Sequence, residues 1–515
     1  MVSRKKASMQ NASAALAAQI IKLLGQFVVQ TIFVRTLGTR YLGANGLFTN
    51  LITFLSFAEL GIGAAFSFAL YAPIAKKDNK TISAVINLYR KVYNFIGLFI
   101  LVFGVLVSFF VPMLVKSTNS VPHLRIYFIL YLLSSVVSYF FTYNRSLLIA
   151  NQEGYIDSIN QLVFSIVRYV FQIFFLVLFN SYVGFLIVQV LSNFLSNLAI
   201  TRLTRKKYPF LLDDTKSLPG AELIGELKRN VIGTIASKVG SVVVNGTDNI
   251  LISKYIGLSV VGLYSNYSLI VAGFTAILNQ VFTSIIASFG NLGVMEKDNV
   301  KKQVNLFEQF VFFNAFITIF LGIVLFGFFQ PFVSIWLGKN YLLGTTTLAY
   351  IVINFVLAQF RPALFLVNAY GLFWGYRYKS IVEALTNFGL SFILVKYTNM
   401  GIDGVLLGTI IGNILVNSWW DPLILFSGAY HQGIGKFYKK YWLYLLMFLG
   451  LLGGENYILN IFHNSIISIN GIIGLLIYGT LLSIVTLALL LLLLVGTAGE
   501  KSMFKMIKKV LTGGN

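Results

Sequence analysis

Phe33-Val34-Arg35-Thr36-Leu37-Gly38-Thr39-Arg40-Tyr41-Leu42-Gly43 decides how this chain is read, because the pattern comes back. Its second copy is Ile252-Ser253-Lys254-Tyr255-Ile256-Gly257-Leu258-Ser259-Val260-Val261-Gly262, at a constant offset of 219. Each copy sets a cation three residues before one Gly and places another Gly five residues later. A residue without a Cβ suits a tight turn between two helices. A chain that repeats itself near its middle predicts two similar halves. A second echo agrees: Gly154-Tyr155 matches Gly375-Tyr376 at an offset of 221.

The repeat joins apolar runs. Of the 515 residues, 57% are hydrophobic and only 11% charged, against about 25% charged in soluble proteins. Runs of this length cross roughly 30 Å of hydrocarbon, so the chain reads as an all-α polytopic membrane protein. Fourteen spans are expected, near 12–35, 43–72, 92–115, 125–148, 157–180, 182–202, 230–255, 261–288, 308–332, 343–368, 378–398, 402–428, 440–460 and 468–495. They fall into a six-helix lobe over 1–203, a polar cytoplasmic linker over 204–229, a second six-helix lobe over 230–430, and two appended helices over 431–515. Arg4-Lys5-Lys6 and the Ala-rich run after it read as a retained first span, with Lys22 in its middle. The net charge of +22 is spread mostly over short loops. A cytoplasmic N-terminus places most of those cations inside, as the positive-inside rule requires, with both termini cytoplasmic. No basic domain remains for nucleic acid. Cys is absent, which excludes disulfides, thiol nucleophiles and thiolate metal sites.

Polar residues at membrane depth carry the functional information. Gln19, Lys22, Gln26 and Gln30 share one helix face, as do Gln161, Ser165, Arg168 and Gln172. Thr234, Lys238, Ser241, Asn245 and Asp248 form a third stripe, and Ser380, Glu383, Asn387 and Ser391 a fourth. Asn354, Arg361 and Asn368 are spaced by seven; Asn413, Asn417 and Asp421 by four; Glu59 stands in the second span. A cation at mid-membrane costs on the order of 2.5–3.5 kcal/mol. Lys22, Arg168, Lys238 and Arg361 are therefore expected to face a hydrated cavity between the lobes. They outnumber the acids near them, so the cavity suits an anion; Arg grips phosphate oxygens as a fork and Lys as a point charge. The plainer reading of any one charge is structural, as in a Glu59–Lys22 pair. For Asn, Gln and Ser it is helix-to-helix hydrogen bonding. Arg35 and Lys254, at the outer ends of their spans, can snorkel to the interface.

With Arg35 to Gly43, Glu59-Leu60-Gly61-Ile62-Gly63 and Val261-Gly262-Leu263-Tyr264 together, the chain resembles the polysaccharide transporter family. That family belongs to the multidrug/oligosaccharidyl-lipid/polysaccharide exporter superfamily and includes the Wzx-type flippases. The resemblance covers about the first 430 residues. It implies a two-lobed alternating-access carrier in the bacterial plasma membrane. Its cargo would be an undecaprenyl-diphosphate-linked oligosaccharide, for capsule, exopolysaccharide or other surface polysaccharide. Lys22 and Arg35 would contact the head group, faced by Lys238 and Arg361. Arg168, Gln26, Gln172 and Asn245 complete the candidate set. Related lipid II flippases carry Arg clusters on the first, second and eighth helices; here the second has Glu59 and the eighth no charge, which argues against a peptidoglycan precursor. An acid on the seventh helix serves a cation site in those relatives, so Asp248, with Glu59, is the candidate for ion coupling. Membrane lipids and a polysaccharide polymerase machinery are the implied partners.

Other readings stay open. A multidrug or cation antiporter of the same fold calls for an acidic or aromatic pocket. A membrane glycan polymerase calls for a large external loop, and an acyltransferase for a buried His; His123, His431 and His463 fall in loops or at span ends. A structural scaffold has little reason to keep four cations at depth. No phosphate loop, carboxylate metal cluster or nucleophile–base pattern is present, so neither enzyme activity nor a cofactor or metal is expected.

Overall fold

A computed structural model describes residues 4–59, 62–116, 121–151, 153–213, 217–295, 299–370, 372, 375–461 and 471–494. Within these helices, several side chains are outside the description, chiefly those of 4–17, 232–245 and 283–295. Among the described residues the secondary structure is helical, without strands.

The chain forms two compact units, Met1–Ser265 and Asn266–Asn515. The first runs through α1 (Arg4–Leu37), α2 (Thr39–Leu55), α3 (Ile62–Lys76), α4 (Asn79–Ser108), α5 (Leu124–Tyr139), α6 (Thr142–Ala150), α7 (Gly154–Phe179), α8 (Tyr182–Lys207), the single turn α9 (Phe210–Asp213) and α10 (Ala221–Tyr255). Helix α11 (Leu258–Met295) begins in it and continues into the second unit. There follow α12 (Val300–Trp336), α13 (Thr345–Gln359), α14 (Pro362–Ala369), α15 (Tyr376–Tyr397), α16 (Ile402–Gly412), α17 (Ser418–Leu425), α18 (Gly435–Ile461) and α19 (Gly471–Leu494). Two π-helical turns, Asn413–Asn417 and Phe426–Tyr430, flank α17.

Both copies of the repeat make the turn their glycines predict. Gly38 (φ +83°) separates α1 from α2, and Gly257 (φ +134°) separates α10 from α11, a region closed to most side chains. The second glycine of each copy has another task. A Cβ on Gly43 would lie 1.8 Å from the carbonyl oxygen of Leu258, and one on Gly262 2.0 Å from that of Thr39. The starts of α2 and α11 thus cross backbone against backbone, through the two glycines that the sequence aligned. Thr39 and Ser259 share a hydroxyl hydrogen bond of 3.0 Å beside the crossing.

Helix α7 shows the inversion that a lipid solvent imposes. Ile159, Val163, Ile166, Val170, Phe174 and Val177 recur at steps of three or four and are exposed, as lipid-facing residues should be. Gln161, Ser165 and Arg168 turn the other way. Inside the first unit, Tyr182 packs edge-on against Phe33, Tyr41 and Tyr127, and Phe66 stacks on Tyr89 at 4.3 Å. Inside the second, Phe360, Phe437 and Tyr441 stack, with Phe307 against Phe437.

Ten helices among the described residues are long and apolar enough to cross a membrane; the bent pair α5–α6 makes eleven. Ten or eleven of the fourteen expected spans of this multi-pass membrane protein thus meet that test among the described residues, and the other three do not meet it for physical reasons. The second, 43–72, is split between α2 and α3 by a 3-10 turn at Ser56–Glu59. The seventh and eleventh coincide with α10 and α15, which form but carry many polar and charged residues; α15 alone holds Arg377, Lys379, Glu383 and Lys396.

Candidate functional site

Within the first unit, α1, α6, α7 and α8 enclose a cavity of about 480 Å³. Helix periodicity delivers its walls. Gln19, Lys22 and Gln26 come from one face of α1, and Gln161, Ser165 and Arg168 from one face of α7. The 44° bend between α5 and α6 brings in Ser138, Thr142 and Arg145, and α8 adds Ser192, Asn193, Ser196 and Asn197. Two of the polar stripes legible in the sequence thus converge.

A relay of hydrogen bonds fixes this wall. Lys22 Nζ donates to Gln161 Oε1 at 2.9 Å. Gln161 Nε2 donates to Asp157 Oδ2 at 2.7 Å. Arg145 Nη1 meets Asp157 Oδ1 at 2.5 Å, and Arg145 Nη2 donates to Asn197 Oδ1 at 2.9 Å. Tyr169 donates its hydroxyl to the Lys22 carbonyl at 3.1 Å, locking α7 to α1. Asp157 balances Arg145. Lys22 and Arg168 have no carboxylate partner among the described residues, so the cavity is left with an excess of positive charge. Arg168 rests by the ring of Tyr169, 5.2 Å from its centroid.

The other candidates lie elsewhere. Arg35 is exposed at the last turn of α1, about 20 Å along the helix from Lys22 at 1.5 Å per residue, and does not reach this cavity. Gln172 is buried and donates to the Phe185 carbonyl at 3.4 Å, a helix-to-helix contact. Gln30 likewise donates to the Ser265 carbonyl. Glu59 accepts a 2.9 Å hydrogen bond from the Tyr93 hydroxyl, not a Lys22 contact. Asp248 is half-buried on α10; the side chains of Lys238 and Asn245, on the same helix, lie outside the described residues.

In the second unit Arg361 departs from the expectation of an unbalanced cation. It meets Asp421 Oδ2 at 2.7 Å and Glu383 Oε1 at 4.0 Å, and donates to Asn417 Oδ1 at 3.2 Å. Lys379, whose side chain is 3% exposed, bridges Glu383 and Asp421 at 3.0 and 3.1 Å. Two cations and two acids cancel. The cause is local backbone: Arg361 sits at the break between α13 and α14, and the π turn at Asn413–Asn417 resets the phase of Asp421. Along α15 and α16, Asn387 donates to Thr409 and Ser391 to the Val405 carbonyl, the structural reading of that stripe. Arg145, Asp157 and Lys379 were not singled out from sequence. The only signal for them was charge within or beside an apolar run.

The sequence model of the family described as polysaccharide biosynthesis protein matches residues 8–290. The chain belongs to that family. No curated protein matches it in sequence. Its fold is similar to that of a multidrug resistance MATE family transporter of the MOP superfamily in an inward-facing conformation (TM-score 0.61, 18% identity, covering 80% of this chain and 98% of that one). It is also similar to the lipid II flippase MurJ in an inward closed conformation (TM-score 0.64, 15% identity, 94% and 98%). A third match is a MOP superfamily transporter from Pyrococcus furiosus, described as having a binding pocket of reversed polarity that suggests a different function (TM-score 0.53, 18% identity, 82% and 96%). These likenesses show that this polysaccharide biosynthesis family member shares the fold of those transporters.

Proposed function

We propose that this family member is a flippase that carries undecaprenyl-diphosphate-linked oligosaccharide units across the bacterial plasma membrane by alternating access, with both termini cytoplasmic. One observation carries the reading: Lys22 and Arg168 line a polar cavity and, among the described residues, have no carboxylate within ion-pair distance. Two uncompensated cations in low dielectric are costly unless an anion completes them, and a diphosphate is such an anion. Gln19, Gln26 and Gln161 supply the neutral donors that a pyrophosphate's many oxygens need. The polyprenyl tail would stay in lipid. Lys238 and Asn245 on α10 remain candidates for the same head group, and Asp248 for ion coupling. A flippase cargo is also what is carried by the structural neighbour MurJ.

Cation-drug antiport is disfavoured by the same charge, since a cationic cavity repels a cationic drug. The fold neighbours are transporters, so transport rather than catalysis is inferred. The test is reconstitution of the full chain in liposomes with a fluorescent polyprenyl-diphosphate oligosaccharide, with and without proton and sodium gradients. Lys22→Ala and Arg168→Ala are expected to reduce flipping at least tenfold while the protein still inserts. Undiminished flipping in both variants would refute the reading.

A further inference from the structure

A second cavity of about 410 Å³ opens in the first unit beside the first. The two share walls: Ser138, Thr142 and Asn193 line both. Its chemistry is different. Its described lining holds no Lys or Arg; hydroxyls dominate it, with the amides of Gln189 and Asn193, the phenols of Tyr131 and Tyr139, and one carboxylate, Glu59. The hydroxyls are held in place by one another. Thr49 bonds Tyr131 at 2.8 Å, Tyr139 donates to Ser56 at 3.1 Å, and Gln189 donates to Ser134 at 3.0 Å. Thr49, Ser56 and Ser134 spend their hydrogens on backbone carbonyls, and the hydroxyls keep capacity to accept, because each oxygen has two acceptor lone pairs. Glu59, oriented by Tyr93, offers further lone pairs on its two oxygens.

This inventory selects a ligand class. Hydrocarbon is disfavoured, because it would leave the remaining lone pairs of the hydroxyls and of the Glu59 carboxylate without donors. An anion would meet Glu59 without a compensating cation. A bare metal ion would leave most of the space unfilled, and among the described residues there is no cluster of three or more His, Asp or Glu to hold one. A sugar ring fits: its hydroxyls donate and accept in turn, neighbouring ring hydroxyls can donate to one carboxylate, and the C–H face can lie on a phenol's negative face. The volume is in the range of about 300–1,000 Å³ usual for small-ligand pockets. A ring seated here would stand next to a phosphate in the first cavity, the order in which a glycosyl diphosphate presents them.

We propose that this second cavity is the sugar subsite of the carrier, that it takes a neutral pyranose adjoining the diphosphate, and that Glu59 with the hydroxyls of α2 and α5 rejects an acidic sugar. The proposal rests on the flippase reading above and adds a selectivity to it. A site that hydrogen-bonds ring hydroxyls discriminates strongly, because a wrong ligand leaves its polar groups unpaired.

The experiment uses the full chain in lipid nanodiscs and three probes: undecaprenyl diphosphate without sugar, the same lipid bearing a neutral disaccharide, and the same lipid bearing a disaccharide whose first ring is a uronic acid. Wild type should bind the neutral glycolipid about tenfold tighter than the bare lipid, and the acidic one no tighter than the bare lipid. In Glu59→Gln the gain for the neutral glycolipid should shrink and the difference between neutral and acidic cargo should close. Thr53→Val, a near-isosteric change in the same wall, should also reduce the neutral gain; it covers the case in which Glu59→Gln fails to elute as a folded protein. Both variants should bind the bare lipid as wild type does, while Lys22→Ala should weaken all three probes. If the bare lipid binds through Lys22 but the sugar adds nothing, or its gain survives in both cavity variants, the sugar subsite falls and the diphosphate reading stands. If Glu59→Gln alters only proton or sodium dependence, Glu59 is a coupling acid and the subsite falls. If no probe binds wild type, both readings fall together.

Discussion

Gly43→Ala tests the crossing of the two repeat copies. The new methyl would be centred 1.8 Å from the carbonyl oxygen of Leu258. Non-bonded heavy atoms settle at about 3.5 Å, so the starts of α2 and α11 must part by about 1.7 Å. The obstructing atom is backbone, so no rotamer change relieves it. Overpacking of this kind costs about 1–3 kcal/mol, and the upper half applies where nothing flexible yields. Separation would also strain the 3.0 Å Thr39–Ser259 bond, worth about 0.5–1.5 kcal/mol. The sum is about 2.5–4.5 kcal/mol, or a fall of about 5–18 °C in the apparent midpoint of a unit this size. The assay is thermal inactivation of detergent-solubilised protein, followed by size-exclusion recovery. Gly225→Ala is the control: Gly225 lies in α10 with open space where a Cβ would go, and there Ala gains up to about 1 kcal/mol of helix propensity. If Gly43→Ala and Gly225→Ala melt alike, the two backbones are not in contact.

Asp157→Asn should strand Arg145, whose side chain is 16% exposed, at about 3–5 kcal/mol; low expression is expected, with recovery in the Arg145→Met/Asp157→Leu double variant, measured by size-exclusion yield. Arg35→Gln should leave head-group affinity within about twofold of wild type, since Arg35 stands some 20 Å along α1 from Lys22; a tenfold loss of bare-lipid binding would put it in the site. Asp421→Asn should leave Arg361 and Lys379 sharing one acid and lower the melting midpoint more than Glu308→Gln, whose exposed pair with Lys440 is worth only about 0–1 kcal/mol.

Much of the fold was legible because a lipid solvent makes hydropathy explicit. The runs that became α4, α7, α8, α12 and α19 could hardly be anything else, and the repeat glycines announced their turns because positive φ excludes most side chains. The stripes on α1 and α7 were legible because α-helical periodicity is regular there. Legibility ended where backbone regularity ended. The 3-10 turn at Ser56–Glu59 split an expected span, and the break at Phe360–Arg361 with the π turn at Asn413–Asn417 brought acids onto a cation that a straight helix would have kept apart. The Arg145–Asp157 pair joins α6 to α7 after the bend between α5 and α6, and neither the bend nor the pairing is encoded in spacing.

The two charge clusters argue for different roles by their balance. Lys379, Arg361, Glu383 and Asp421 satisfy one another, and Asn417 adds a 2.7 Å hydrogen bond to Glu383. A closed network of this kind fixes how α14, α15 and α17 meet, and an added anion would find no unspent charge. The cavity of the first unit is unbalanced among its described residues: Asp157 pairs with Arg145 and accepts from Gln161, while Lys22, Arg145 and Arg168 all line the cavity. The relay even uses Gln161 to orient Lys22 without neutralising it. A structural pair would have placed a carboxylate where Gln161 stands, as Glu383 stands beside Lys379. An amide there holds the ammonium in position without forming an ion pair, and on that substitution of amide for acid the proposal that the first unit binds the anionic cargo turns.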